Sequence, residues 1–157
     1  LFGESFTVLA YPDDMEEGMF SHIRNLGCPM YVNLDLNGLL EEEKLNFKRE
    51  LEKKYNRRLS VNESEDYINL SLSITILCDS KDARQIVEET LISVFLKYGV
   101  VIAPSFYNHK RVSESALSLG LIDETLMRNV KTDVAKKLMG GDADGDAKVE
   151  IRTDEAE

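Results

Sequence analysis

The feature that most constrains this chain is an unbroken alternation from Ile68 to Ile76. Ile68, Leu70, Leu72, Ile74 and Ile76 are apolar, and Asn69, Ser71, Ser73 and Thr75 stand between them. Side chains on a strand project to opposite faces with period two, so this strand has one apolar face and one small, polar face. Leu77 and Cys78 extend it. Asp79 and Ser80 then supply helix-capping side chains. Ala83, Ile86, Val87, Leu91, Val94, Phe95 and Tyr98 follow at three- and four-residue steps, as in a helix with one buried face. Gly99 stands where a left-handed residue ends such a helix. Val100 to Ala103 is a short apolar strand stopped by Pro104. Tyr67 to Ala103 is therefore expected to form a right-handed βαβ unit with parallel strands.

The flanking sequence adds elements on both sides. Phe6 to Ala10 reads as a first strand. Asp13 and Glu16 have capping-box spacing, before a helix whose apolar stripe is Met15, Met19, Ile23 and Leu26 and whose stop is Gly27. Met30, Val32, Leu34 and Leu36 alternate with Tyr31, Asn33 and Asp35, giving a second half-exposed strand before an Asn37-Gly38 turn. Leu39 to Tyr55 is a charged helix with a narrow stripe of Leu40, Phe47, Leu51 and Tyr55. Its acids lie in the first turn and its lysines in the last, as the helix dipole favours. After residue 111, Val112 to Leu119 reads as a short helix. Asp123 caps a last one, carrying Leu126, Met127, Val130, Val134 and Leu138.

A parallel sheet covered on both faces shows continuous apolar runs, and these strands alternate instead. The expected fold is α/β of the α+β two-layer kind. It has a mixed four-stranded sheet with the βαβ unit, helices mainly on one face, and a helical C-terminus. Residues 1–139 form one domain, and 140–157 an acidic tail or extension.

Composition narrows the functional classes. The 157 residues carry a formal net charge of -10, which repels nucleic acid and anionic membrane on average. No apolar run approaches the roughly 20 residues of a membrane-spanning helix. Cys28 and Cys78 are the only cysteines, and two thiols of this kind suit a cytoplasmic or other reducing compartment. The chain begins with Leu1 rather than Met, as expected of a processed or excised piece. The sequence contains no Gly-x-Ser-x-Gly elbow, no Gly-Lys-Ser/Thr phosphate loop and no zinc-spaced Cys/His set.

Two sets of residues have functional readings. Asp142, Asp144 and Asp146, with Gly141 and Gly145, place carboxylates at alternate positions, a pattern able to wrap a hard divalent cation. Over Gly140 to Asp146 the segment resembles the Asp-x-Asp-Gly-Asp catalytic loop of cellular-type RNA polymerases and related RNA-dependent enzymes. That resemblance implies three aspartates holding a catalytic magnesium ion. By composition alone the same residues read as an acidic tail. The second set is the polar sheet face of Asn33, Asp35, Ser71, Ser73 and Thr75, expected to be solvated or covered by a partner. Basic residues gather at Lys53-Lys54-Arg57-Arg58 and His109-Lys110-Arg111. An anion site would need both groups at one end of the sheet.

The absent catalytic templates favour a non-enzymatic assembly or interaction component: a subunit or processed part of a larger complex, of viral or structural kind, with protein partners and no cofactor. A metal-dependent nucleic-acid or nucleotide enzyme using Asp142, Asp144 and Asp146 is the alternative. An acidic inhibitor of a basic partner is a further one.

Overall fold

The computed structural model describes residues 2–59, 66–105 and 124–139. In chain order the elements are β1 (Phe2–Ala10), α1 (Met19–Arg24), β2 (Met30–Asn37), α2 (Glu41–Tyr55), β3 (Tyr67–Cys78), α3 (Lys81–Lys97) and β4 (Val101–Pro104). A 3-10 turn (Glu124–Leu126), β5 (Arg128–Lys131) and α4 (Thr132–Met139) complete them. The strands lie in the order β2-β3-β1-β4, and β5 pairs with β3. The fold is α+β, with the core helices on one side of the sheet.

β3 and β4 are each antiparallel to β1 and so run parallel to one another, with β1 between them. Together with α1 and β2 this is the split-βαβ, ferredoxin-like plan, with α2 inserted between β2 and β3. The expected sheet of four mixed strands is corrected on two points. Every pairing among the described residues is antiparallel, and there are five strands. The fifth occupies residues whose spacing predicts helix. Its cause lies in β3, which is longer than its neighbour: β1 pairs with it only from Thr7↔Ser73 to Phe2↔Cys78. Residues 67–70 of β3 would be left with unpaired backbone groups on that side, and β5 takes them from Leu70↔Arg128 to Tyr67↔Lys131.

The apolar face of β3 builds the core. Leu70, Leu72, Ile74 and Ile76 are buried with Phe6 and Val8 of β1 and Ile102 of β4. Met19 and Ile23 of α1, Leu91 and Phe95 of α3, and Val134 and Leu138 of α4 cover them. Ile86 departs from the expected helical face and is 66% exposed. It stands five residues before Leu91, about 140° around the helix at 3.6 residues per turn.

Both ends of α3 follow their sequence signals. Ser80 Oγ accepts the Ala83 amide hydrogen at 3.1 Å. Gly99 has φ +77°, and a Cβ there would lie 3.0 Å from the Pro12 Cβ. The first helix is shorter than its spacing predicts. It starts at Met19 rather than near Asp13, with Gly18 at φ +90° before it. Asp14 is engaged elsewhere, accepting from the Met15 amide at 2.9 Å and from Lys137 Nζ of α4 at 2.5 Å.

Gly99→Ala combines a left-handed backbone with contact on Pro12 and is expected to cost about 1–2 kcal/mol. Phe95→Ala empties a fully buried site and is expected to cost about 3–5 kcal/mol. Urea unfolding at neutral pH measures both.

Candidate functional site

The polar side of β3 is not an open surface. Ser71, Ser73 and Thr75 are buried by the chain itself, Ser73 to 1% exposure. Register explains what lies beside them. Ser5 of β1 stands opposite Thr75, and their hydroxyls are 2.9 Å apart. Thr7 stands opposite Ser73 and receives the Ser105 hydroxyl at 3.4 Å. Ser73 Oγ has no hydrogen-bond partner. On the other flank Asn33 faces Ser73 and Asp35 faces Ser71. Both are half-buried, and Asn33 Nδ2 donates to Asp35 Oδ2 at 2.8 Å.

Burial pushes the Asp35 carboxyl above its ordinary range, and the Asn33 hydrogen bond only partly opposes this. The folded chain therefore holds that proton more tightly than the unfolded chain. Stability from this group is complete below the unfolded value, about 3.9, and is lost as pH rises through the folded value.

The exposed part of the tract is β2, which ends the sheet among the described residues. None of its eight residues is buried, although Met30, Val32, Leu34 and Leu36 are apolar. Tyr31 and Val32 are 51% and 42% exposed. The Leu77 amide donates to the Pro29 carbonyl at 2.9 Å. Antiparallel pairs alternate between hydrogen-bonded and non-hydrogen-bonded, so Tyr31, Asn33, Asp35 and Asn37 direct their backbone groups at β3. Those of Met30, Val32, Leu34 and Leu36 point outward. The β2–β3 register runs from Met30 to Asn37 without a shift, and the strand holds no Lys, Arg or Pro.

The opposite edge differs in each respect. β4 has four residues, ends in Pro104, and pairs with a β1 whose register shifts between Val8 and Ala10. Short length, proline and bulges are the usual protections of a sheet edge. β2 has none of them.

Asp142, Asp144 and Asp146 lie outside the described residues, as do His109, Lys110 and Arg111. Among the described residues no three His, Cys, Asp or Glu side chains gather as a metal site. Two clefts, of about 350 and 570 Å³, share Tyr67 and Lys131. The larger brings Arg57 of the first basic cluster near Lys131 and Lys136, but Asp66 and Asp133 line it too. Lys131 lies 4.0 Å from Asp13 and Lys136 lies 3.7 Å from Asp133, so two of the cleft's three cations already face carboxylates. His22 Nδ1 lies 2.6 Å from the Tyr98 hydroxyl and ties α1 to α3.

The sequence gives no warning of the contact between Glu4 and Arg84, eighty residues apart. Glu4 faces the same side as Phe6 and is buried, with the Arg84 guanidinium of α3 against its carboxylate. An alternating Glu at a strand start reads as solvent-facing, and only the packing of α3 shows otherwise.

Compared with models of protein families, with curated proteins and with solved structures, the chain matches none.

Asp35→Asn removes the desolvated carboxylate and keeps an acceptor for Asn33. It is expected to be at least as stable as the parent at pH 7, with the two converging as pH falls. Urea midpoints across pH 3–8 measure this, and a variant clearly weaker at pH 7 would show that burial is not the dominant cause.

Proposed function

We propose that this chain is a non-enzymatic assembly component that docks a protein partner along β2. The open, unprotected edge of β2 carries the reading. Four apolar residues of β2 have outward backbone groups that no strand among the described residues pairs with; Val32 is exposed, and Met30, Leu34 and Leu36 are only half-buried against the core. A partner strand added there would satisfy those groups and cover Val32, Leu34 and Leu36, the strand-addition mode of recognition. Asn33 and Asp35 would lie on the polar side of that junction, and the single carboxylate would set its register. Ser71, Ser73 and Thr75 act behind it as tightly packed support. The partners are protein subunits, and the net charge of -10 disfavours nucleic acid.

The working compartment is a reducing one, in keeping with the two free thiols. Among the described residues no helix is long and apolar enough to cross a membrane.

Val32→Pro tests the reading. It removes an outward N–H that β3 does not use, and edge strands tolerate proline at such positions. In size-exclusion chromatography with light scattering, the parent is expected to exceed its 17.8 kDa monomer mass, or to shift with an added partner. Val32→Pro is expected to stay monomeric with an unchanged circular dichroism spectrum. A parent that remains at monomer mass at every concentration, and binds no partner that Val32→Pro releases, would sink the proposal.

A further inference from the structure

The two cysteines meet at the start of β2. Their register follows from the neighbouring pairs: Met30 lies opposite Ile76, and the Leu77 amide donates to the Pro29 carbonyl. Continuing that register one step past the last paired residues sets Cys28 opposite Cys78, and the two thiols are in hydrogen-bonding contact. Because Pro29–Leu77 is a hydrogen-bonded pair, Cys28–Cys78 falls on a non-hydrogen-bonded one. There the Cα atoms of antiparallel strands approach to about 4.5 Å and the side chains are closest. Disulfides span Cα separations of about 4.4–6.8 Å, so the backbone needs no large movement to accommodate one. Both residues pack on the main core, Cys78 buried and Cys28 half-buried.

We infer that Cys28 and Cys78 form a reversible redox modification site, closing an intrachain disulfide that staples the entry of β2 to β3. The oxidant class is a small-molecule disulfide such as oxidised glutathione. The more accessible Cys28 sulfur, as thiolate, attacks one glutathione sulfur. The glutathione S–S bond breaks, a mixed disulfide forms on Cys28, and one glutathione thiolate leaves. The Cys78 sulfur, having given up its proton, then attacks the Cys28 sulfur and expels the second glutathione. The two cysteines are oxidised, and one oxidised glutathione becomes two reduced ones.

Burial and the neighbouring Cys78 thiol both push the Cys28 thiol above its usual range, so the first exchange is slow. The second is intramolecular and fast by comparison. The site thus responds to a sustained redox poise rather than to brief oxidant bursts. It stands on the β2–β3 ladder and does not depend on the assembly reading.

The experiment uses the reduced full chain, equilibrated with graded ratios of reduced to oxidised glutathione, quenched with an alkylating agent and weighed intact. A product about 2 Da lighter than the reduced chain is expected, resisting alkylation and restored by dithiothreitol. Peptide mapping should link Cys28 to Cys78. Cys78→Ser should stop at a glutathione adduct on Cys28, at a level about tenfold above any adduct on the parent. Equal adduct levels on parent and Cys78→Ser would overturn the inference. So would an intermolecular dimer as the main product, or two cysteines that stay alkylatable at every ratio. The mass and map of the parent decide the matter even where Cys78→Ser fails to fold.

Discussion

The whole fold hangs on β3. It pairs with three other strands, β2 along one side and β1 and β5 in succession along the other. Its apolar face supplies Leu70, Leu72, Ile74 and Ile76 to the centre of the core. Pairing on both sides satisfies the backbone of this twelve-residue strand, and both of its faces are buried along much of its length. One face is closed by α1, α3 and α4. The other carries the small hydroxyl side chains Ser71, Ser73 and Thr75, which are buried as well. The buried Ser73 Oγ without a partner is the mark of that compromise, because an unsatisfied hydroxyl in the interior is a net cost.

The same constraint shapes the ends of the sheet. Helix α3 returns the chain from β3 to β4 over the far side of β1, so β1 is enclosed and β4 becomes one edge. The buried Glu4 at the start of β1 is tolerable because Arg84, at the beginning of α3, lies against it. Glu88 joins the same guanidinium at 3.3 Å. A buried carboxylate without such a partner would be strongly destabilising. The other edge falls to β2, and the long charged helix that follows it does little to cover it. Only Leu51 of α2 is buried, and Phe47 meets the sheet at its far end, edge-on against Tyr67 with ring centroids 4.9 Å apart. The exposure of β2 is thus a consequence of strand order.

Much of this was legible in the residues. The alternation of β3, the cap at Ser80, the left-handed Gly99 and the charge polarity of α2 are local effects, so a local reading finds them. Local pattern gives way where a distant partner decides. Residues 128–131 have helical spacing but pair as a strand, because β3 offers backbone groups that β1 does not reach. Asp13 looks like a helix cap but faces Lys131, and the neighbouring Asp14 meets Lys137. Ser71, Ser73 and Thr75 look like a wet face and are buried. Asn33 and Asp35 share that face and are half-buried; the outward phase of the β2 backbone is not written in β2, since it depends on which residue of β3 bonds to Pro29.

By itself the sequence determined most of the described strands and helices, and the apolar face of β3 above all. Periodicity, capping and the handedness of glycine act within a few residues, and they are encoded where they act. Only the tertiary structure decided strand order, the fifth strand, the closure of the hydroxyl face and the meeting of Cys28 with Cys78. Each of these depends on backbone hydrogen bonds and close packing between segments far apart in the chain, which no local pattern records.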